Sequence, residues 1–164
     1  MSITRYKIDV KDLKDKCGFP SMERIKKGPV AIIECPEEIP CNPCETICKK
    51  EAIKVGDPIT NCPVLYADKC DGCGMCIAIC PGLAVFTIDY NYSDDKAAIS
   101  IPNEMLTLPE KGDTVDALDR NGEVVCEAEV IRVRNPKSND NTAIVTIAIP
   151  KEHIDKVRNF KLKK

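Results

Sequence analysis

Apolar positions in this chain fall mostly into short runs and alternations, and few of them repeat at the helical interval. Residues 30–34 are apolar and β-branched, as a buried strand requires; residues 51–56, 64–66 and 83–89 predict three further short strands. From residue 90 onward alternation takes over. Residues 96–101, 105–108, 114–119, 123–134 and 142–149 are all predicted extended, with Asn121-Gly122 as a hairpin turn and 135–141 as a connecting loop. Within 130–134 the pattern keeps Ile131 and Val133 apolar while Arg132 and Arg134 face out. Helical signals lie near the ends. Ser21 caps a short helix over 21–27 with Met22 and Ile25 inward and Gly28-Pro29 as its stop, and residues 151–160 predict a terminal helix after Pro150, ending in a solvated KLKK tail.

The pattern predicts an α+β chain in four parts: an arm over 1–29, a compact module over 30–89, a small antiparallel β barrel or curled sheet over 90–150, and a C-terminal helix and tail over 151–164. The module repeats itself. A shift of 32 residues lays Cys41, Cys44 and Cys48 on Cys73, Cys76 and Cys80, and Ala52-Ile53 on Ala84-Val85.

Composition adds that the core is aliphatic, since only 4% of the 164 residues are aromatic and there is no Trp. The net charge of −2 hides a division: the arm has eight basic residues against four acidic, residues 30–86 have four against eight, and the remainder twelve against fourteen. The acidic stretch would steer a basic partner face. Eleven cysteines follow a polar, charged start, MSITRYKIDVKDLKDK, so a reducing cytoplasm is expected. No apolar run reaches the length of a membrane span, and the basic tail has no aromatic platform beside it, so neither membrane insertion nor nucleic-acid binding is expected. No glycine-rich dinucleotide or phosphate loop appears, and the single histidine, His153, reads as a surface residue; no catalytic residue is predicted.

The chemistry lies in the cysteines. Residues 70–81, CDGCGMCIAICP, read C-x2-C-x2-C-x3-C-P, which lets Cys70, Cys73 and Cys76 on one curled loop each take a corner of a cubane cluster. Gly72 and Gly74 allow the bends. The upstream copy is C-x5-C-x2-C-x3-C. Its first thiolate is supplied by Cys35, with Pro36 and Pro40 stiffening the gap, and Lys49 stands where the second copy has Pro81. Zinc also uses C-x2-C pairs, but does not need such triplets.

Both motifs resemble those of bacterial two-cluster 4Fe-4S ferredoxins over residues 30–89. In such proteins the fourth thiolate of each motif serves the other cluster, so the resemblance implies one 4Fe-4S cluster on Cys35, Cys41, Cys44 and Cys80 and a second on Cys48, Cys70, Cys73 and Cys76. Cys17, Cys62 and Cys126 are left as ordinary thiols; Cys62-Pro63 imitates a motif exit, yet the repeat already gives that position to Cys48. The wording ECPEEIPCNPCE (34–45) and CDGCGMCIAICPGLAVF (70–86), followed by a strand-rich tail, is similar to the small dicluster subunits of flavin-dependent amine and amino-acid dehydrogenases, a group that includes hydrogen cyanide synthase-like and hydroxyproline or proline dehydrogenases of anaerobes. That resemblance implies a flavoprotein dehydrogenase partner whose electrons this chain relays, with other electron carriers beyond it. A freely diffusing carrier and a structural or regulatory metal protein are the alternatives.

Overall fold

A computed structural model describes residues 10–16 and 18–163. The elements run α1 (Val10–Lys16), α2 (Met22–Lys26), β1 (Val30–Ile33), α3 (Pro43–Ile47), β2 (Ile53–Lys54), β3 (Val64–Leu65), α4 (Met75–Ile79), β4 (Val85–Asp89), β5 (Lys96–Asn103), β6 (Thr114–Leu118), β7 (Val124–Arg134), β8 (Ala143–Pro150) and β9 (Asn159–Leu162). The expected α+β class is observed, with mostly antiparallel sheet and few helices.

Seven strands form one antiparallel sheet in the order β1-β4-β5-β8-β7-β6-β9, and β2 and β3 pair separately. The sheet passes without a break across residues 89 and 90, because Ile88 and Asp89 pair with Ile99 and Ala98. One face builds the main core: Ile32, Ile88, Ile99, Ile147, Val130 and Val115 come from six strands and meet in a single apolar cluster. Such a core forms only if the sheet curls, which the native twist of strands favours. It does not close into a barrel, and β1 and β9 remain its edges among the described residues.

The two edges are held by charge instead. Glu34, just beyond β1, accepts hydrogen bonds from Arg120 Nε at 2.8 Å and from Arg158 Nε at 2.6 Å, and Arg120 Nη2 adds a second contact to the same carboxylate. Burial works to raise the Glu34 pKa, but the two guanidinium groups outweigh it and hold it below the ordinary carboxylate range.

Four expectations are corrected. Residues 151–160 are not a helix: a 3₁₀ turn over Lys151–His153 leads to β9, which pairs with the free edge of β6 (Val115 with Leu162, Leu118 with Asn159). Phe160 and Leu162 alternate with exposed Asn159 and Lys161, a period of two that suits an edge strand. Residues 105–108 form no strand. The chain there must cross from β5 to β6, past β8 and β7, so it loops with Met105 75% exposed and Leu106 fully so. Met22 is turned outward, and Ile25 is the buried residue of α2, whose N-cap Ser21 accepts a hydrogen bond from the Arg24 N–H. Finally, the register of β7 shifts between Val130 and Arg132, so Val133 faces the main core while Ile131 lies against the outer face beside Arg132. The other predicted strands and the Gly122 turn are observed, with ends moved by one or two residues.

Candidate metal centres

The cysteine-bearing region has approximate two-fold symmetry. Helices α3 and α4 occupy equivalent positions in the 32-residue repeat, and each ends at a cysteine, Cys48 or Cys80. Glu51 and Leu83, also equivalent, both take positive φ (50° and 51°), which turns the chain from each helix into the following strand. The strand pairing repeats too. Ile53 faces Leu65 in β2–β3, and Val85 faces Ile33 in β4–β1. The repeat therefore reaches the backbone, the hydrogen bonds and the order of the elements.

Between these halves the cysteines separate into two groups, each around a cavity. One cavity, of about 140 Å³, is lined by Cys48, Cys70, Cys73 and Cys76. The other, of about 30 Å³, is lined by Cys35, Cys41, Cys44 and Cys80. Each group takes three thiols from one motif and the last thiol of the other. Apolar side chains back both: Ala31, Ile33, Ile53, Ile77 and Val85 form a second core cluster into which Cys76 is packed.

Backbone amides already point at the sulfurs. Ala52 N–H donates to Cys48 Sγ at 3.3 Å and, 32 residues on, Ala84 N–H donates to Cys80 Sγ at 3.4 Å. Cys70 Sγ accepts from Ala31 N–H and Gly72 N–H, both at 3.4 Å. Such donors favour a thiolate over a thiol. Burial does the opposite. It pushes the Cys76 thiol up to about 12, with Cys70, Cys73 and Cys48 adding repulsion. Cys44 rises to about 11, again through burial first, then, against the backbone hydrogen bond from Glu45, through Cys80, Cys41 and Cys35. Burial also raises Cys35, with Cys80 the next cause. Burial and mutual repulsion thus work against the thiolate form at Cys76, Cys44 and Cys35, in opposition to the backbone donors.

Glycine is demanded at Gly72. Its φ is +69°, and a Cβ there would lie 2.5 Å from Pro29 Cβ and 2.8 Å from the Pro29 carbonyl carbon. Arg24 fixes the same corner, donating to the carbonyls of Ala67 (2.8 Å), Gly28 (3.1 Å), Pro29 (3.2 Å) and Cys70. It ties α2 to the entrance of the second cysteine loop. Glu34 acts similarly for the first motif, standing next to Cys35 with its N–H bonded to Ala84 O at 2.8 Å. Spacing could not single out Arg24, Glu34, Arg120 or Arg158, because the contacts that tie them to the cysteine loops or to one another span 43 residues or more.

Of the spare thiols, Cys62 does not line the first cavity although its neighbours Asn61 and Pro63 do; it donates to Pro36 O at 3.5 Å. Cys126 packs against the main core, and Cys17 lies outside the described residues. Among the described residues no three His, Cys, Asp or Glu side chains converge as a single-ion site would require. No described helix is long and apolar enough to cross a membrane.

No family model, curated protein or solved structure matches the chain.

Proposed function

We propose that this chain is an electron-transfer protein carrying two 4Fe-4S clusters in a ferredoxin-type module, one held by Cys35, Cys41, Cys44 and Cys80 and the other by Cys48, Cys70, Cys73 and Cys76. The observation that carries the reading is the exchange of the last cysteine between two symmetry-related groups, each ringed around its own cavity. Bound clusters supply reversible one-electron chemistry. The chain does the rest: eight thiolates fix the ligand set, Ala31, Ala52, Gly72 and Ala84 donate N–H groups to sulfur, and the aliphatic wall of Ile33, Ile53, Ile77 and Val85 keeps water away. Hydrogen bonds to sulfur and solvent exposure are the means by which a protein sets such potentials.

We further infer that the chain works as the electron-relay subunit of a flavin-dependent oxidoreductase, of the amine or amino-acid dehydrogenase kind. This rests on the resemblance carried by residues 34–45 and 70–86. Anaerobic purification from the native cell tests it: a flavoprotein that stays with the chain through a salt wash is expected. A lone monomer whose visible absorption bleaches with dithionite would instead make it a diffusing carrier.

A further inference from the structure

The outer face of the sheet, opposite the main core, carries a row of polar side chains where alternation alone predicts an ordinary solvated surface. Register places Arg132 opposite Thr146, Thr146 opposite Ser100, Ser100 opposite Thr87, and Thr87 opposite Ala31. Directly opposed residues of antiparallel strands project to the same side. The row therefore crosses β7, β8, β5, β4 and β1 and ends at Ala31, whose N–H is bonded to Cys70 Sγ. Ser100 and Thr146 hydroxyls are 2.9 Å apart, and Thr87 is only 7% exposed.

The loop Gly72–Gly74 closes over this row and leaves a polar cavity of about 170 Å³, lined by Thr87, Ser100, Thr146, Arg132, Arg134 and the loop itself. No carboxylate lines it. Glu129 and Asp89 belong to the wider trough that opens from it toward solvent, where Lys111 also stands. The two arginines are distinctive. Arg24, Arg120 and Arg158 donate to carbonyls or a carboxylate, whereas the guanidinium groups of Arg132 and Arg134 make no hydrogen bond or ion pair with any described residue. Two unspent guanidinium groups beside three hydroxyls match the donor set that a carboxylate or phosphate requires.

We propose that this cavity binds a small oxyanion, free or as the phosphate or carboxylate group of a metabolite, held by Arg132 and Arg134 with Ser100, Thr146 and Thr87 as hydroxyl partners. The site abuts Cys73, the one exposed thiol among the described cysteines. The binding residues belong to the sheet face and the Gly72–Gly74 loop. The consequence of binding rests on the two-cluster reading: an anion seated there places negative charge next to the cluster on Cys70, Cys73 and Cys76 and makes that cluster harder to reduce.

Calorimetric titration of the anaerobic full-length protein with inorganic phosphate, and separately with acetate, at constant ionic strength tests the binding and tells the two anion classes apart. One saturable site for phosphate or acetate is expected. Arg132→Gln should weaken it about tenfold, the loss of a charge-assisted hydrogen bond, and Ser100→Ala less. Arg132→Gln/Arg134→Gln should abolish it, while Lys161→Gln leaves it unchanged and circular dichroism of every variant matches the parent. Absence of saturable binding by either anion, or binding that survives the double arginine variant, overturns the proposal. So does saturable binding of an acidic peptide where both small anions fail, since that makes the trough a protein-docking face. A redox titration with and without phosphate reads the second claim. Binding with no iron in the protein leaves the site standing and removes the cluster reading; binding to loaded protein without a fall in the second cluster's potential removes only the coupling.

Discussion

The two cysteine halves share a repeat but not a setting. In the second half the loop folds against β1 and β4, inside the seven-stranded sheet. Its cavity measures about 140 Å³, its bends use Gly72 and Gly74, and Arg24 locks its entrance. The first half packs its helix α3 on β2 of the separate β2–β3 pair, while its cavity meets Ile33 of β1 and Val85 of β4. Its leading cysteine is reached through a longer segment containing Pro36 and Pro40, and its cavity is only about 30 Å³. Two copies of one motif can therefore differ in how far the fold prepares them. Both cavities rest on the sheet, the second on Ala31 and the first on Ile33 and Val85, but the first is the smaller and its leading cysteine lies beyond the longer 36–40 segment. The first cluster should accordingly be the later to assemble and the earlier to be lost on exposure to air.

The largest change should follow from ending the chain at residue 89. Val30, Ile32, Phe86 and Ile88 share one core with Ile99, Val130, Val145 and Ile147, and Arg120 and Arg158 come from the removed part. Circular dichroism and iron content should both show a chain that neither folds nor holds metal. A folded truncation with full iron would make the two regions separate bodies.

Removing one ligand tests the halves individually. Cys35→Ser should lower iron from about eight to about four per chain, or leave a three-iron remnant, while Cys62→Ser leaves iron and spectrum unchanged. The reverse pair of results would reassign the first cluster.

Glu34→Gln leaves Arg158, itself 5% exposed, without its counter-charge and should cost about 3–5 kcal/mol in denaturant unfolding. Because the Glu34 pKa is depressed by folding, its contribution is complete above the ordinary carboxylate range and lost as pH falls through the folded value. The parent should therefore lose stability toward acid more steeply than the variant; parallel acid limbs would show that the clamp is energetically idle.

Smallest is the contrast between two glycines of the second loop. Gly74→Ala, at φ +77° but with no neighbour nearer than Ile77 Cδ1 at 3.5 Å, should cost about 1–2 kcal/mol. Gly72→Ala should cost more and reduce occupancy of the second cluster, because its Cβ meets Pro29 backbone. Equal melting temperatures and equal iron for the two would argue against the close approach.

Much of this was legible in the sequence wherever a local period or spacing governed it. The short strands around the two motifs and, by alternation, β5 to β8 were anticipated nearly in place, whereas the five-residue helices α3 and α4 were not. The terminal helix was misread because Lys151 to Phe160 has few breakers; what decided its conformation was the unpaired edge of β6, a tertiary fact. Met105 and Leu106 carry a strand-like pattern, yet sheet order makes them a crossing loop. The Glu34–Arg120–Arg158 clamp and the Arg132–Thr146–Ser100–Thr87 row join residues from distant strands, and only register brings them together. The exchange of Cys48 and Cys80 between the groups was expected from the resemblance, and the two cavities are lined in that same grouping.

Iron and acid-labile sulfide counted per chain, on full-length protein purified without air, test the central claim most directly. Two cubanes predict about eight of each, in a brown protein whose broad visible absorption bleaches with dithionite. A colourless, folded protein holding stoichiometric zinc and no sulfide would contradict it.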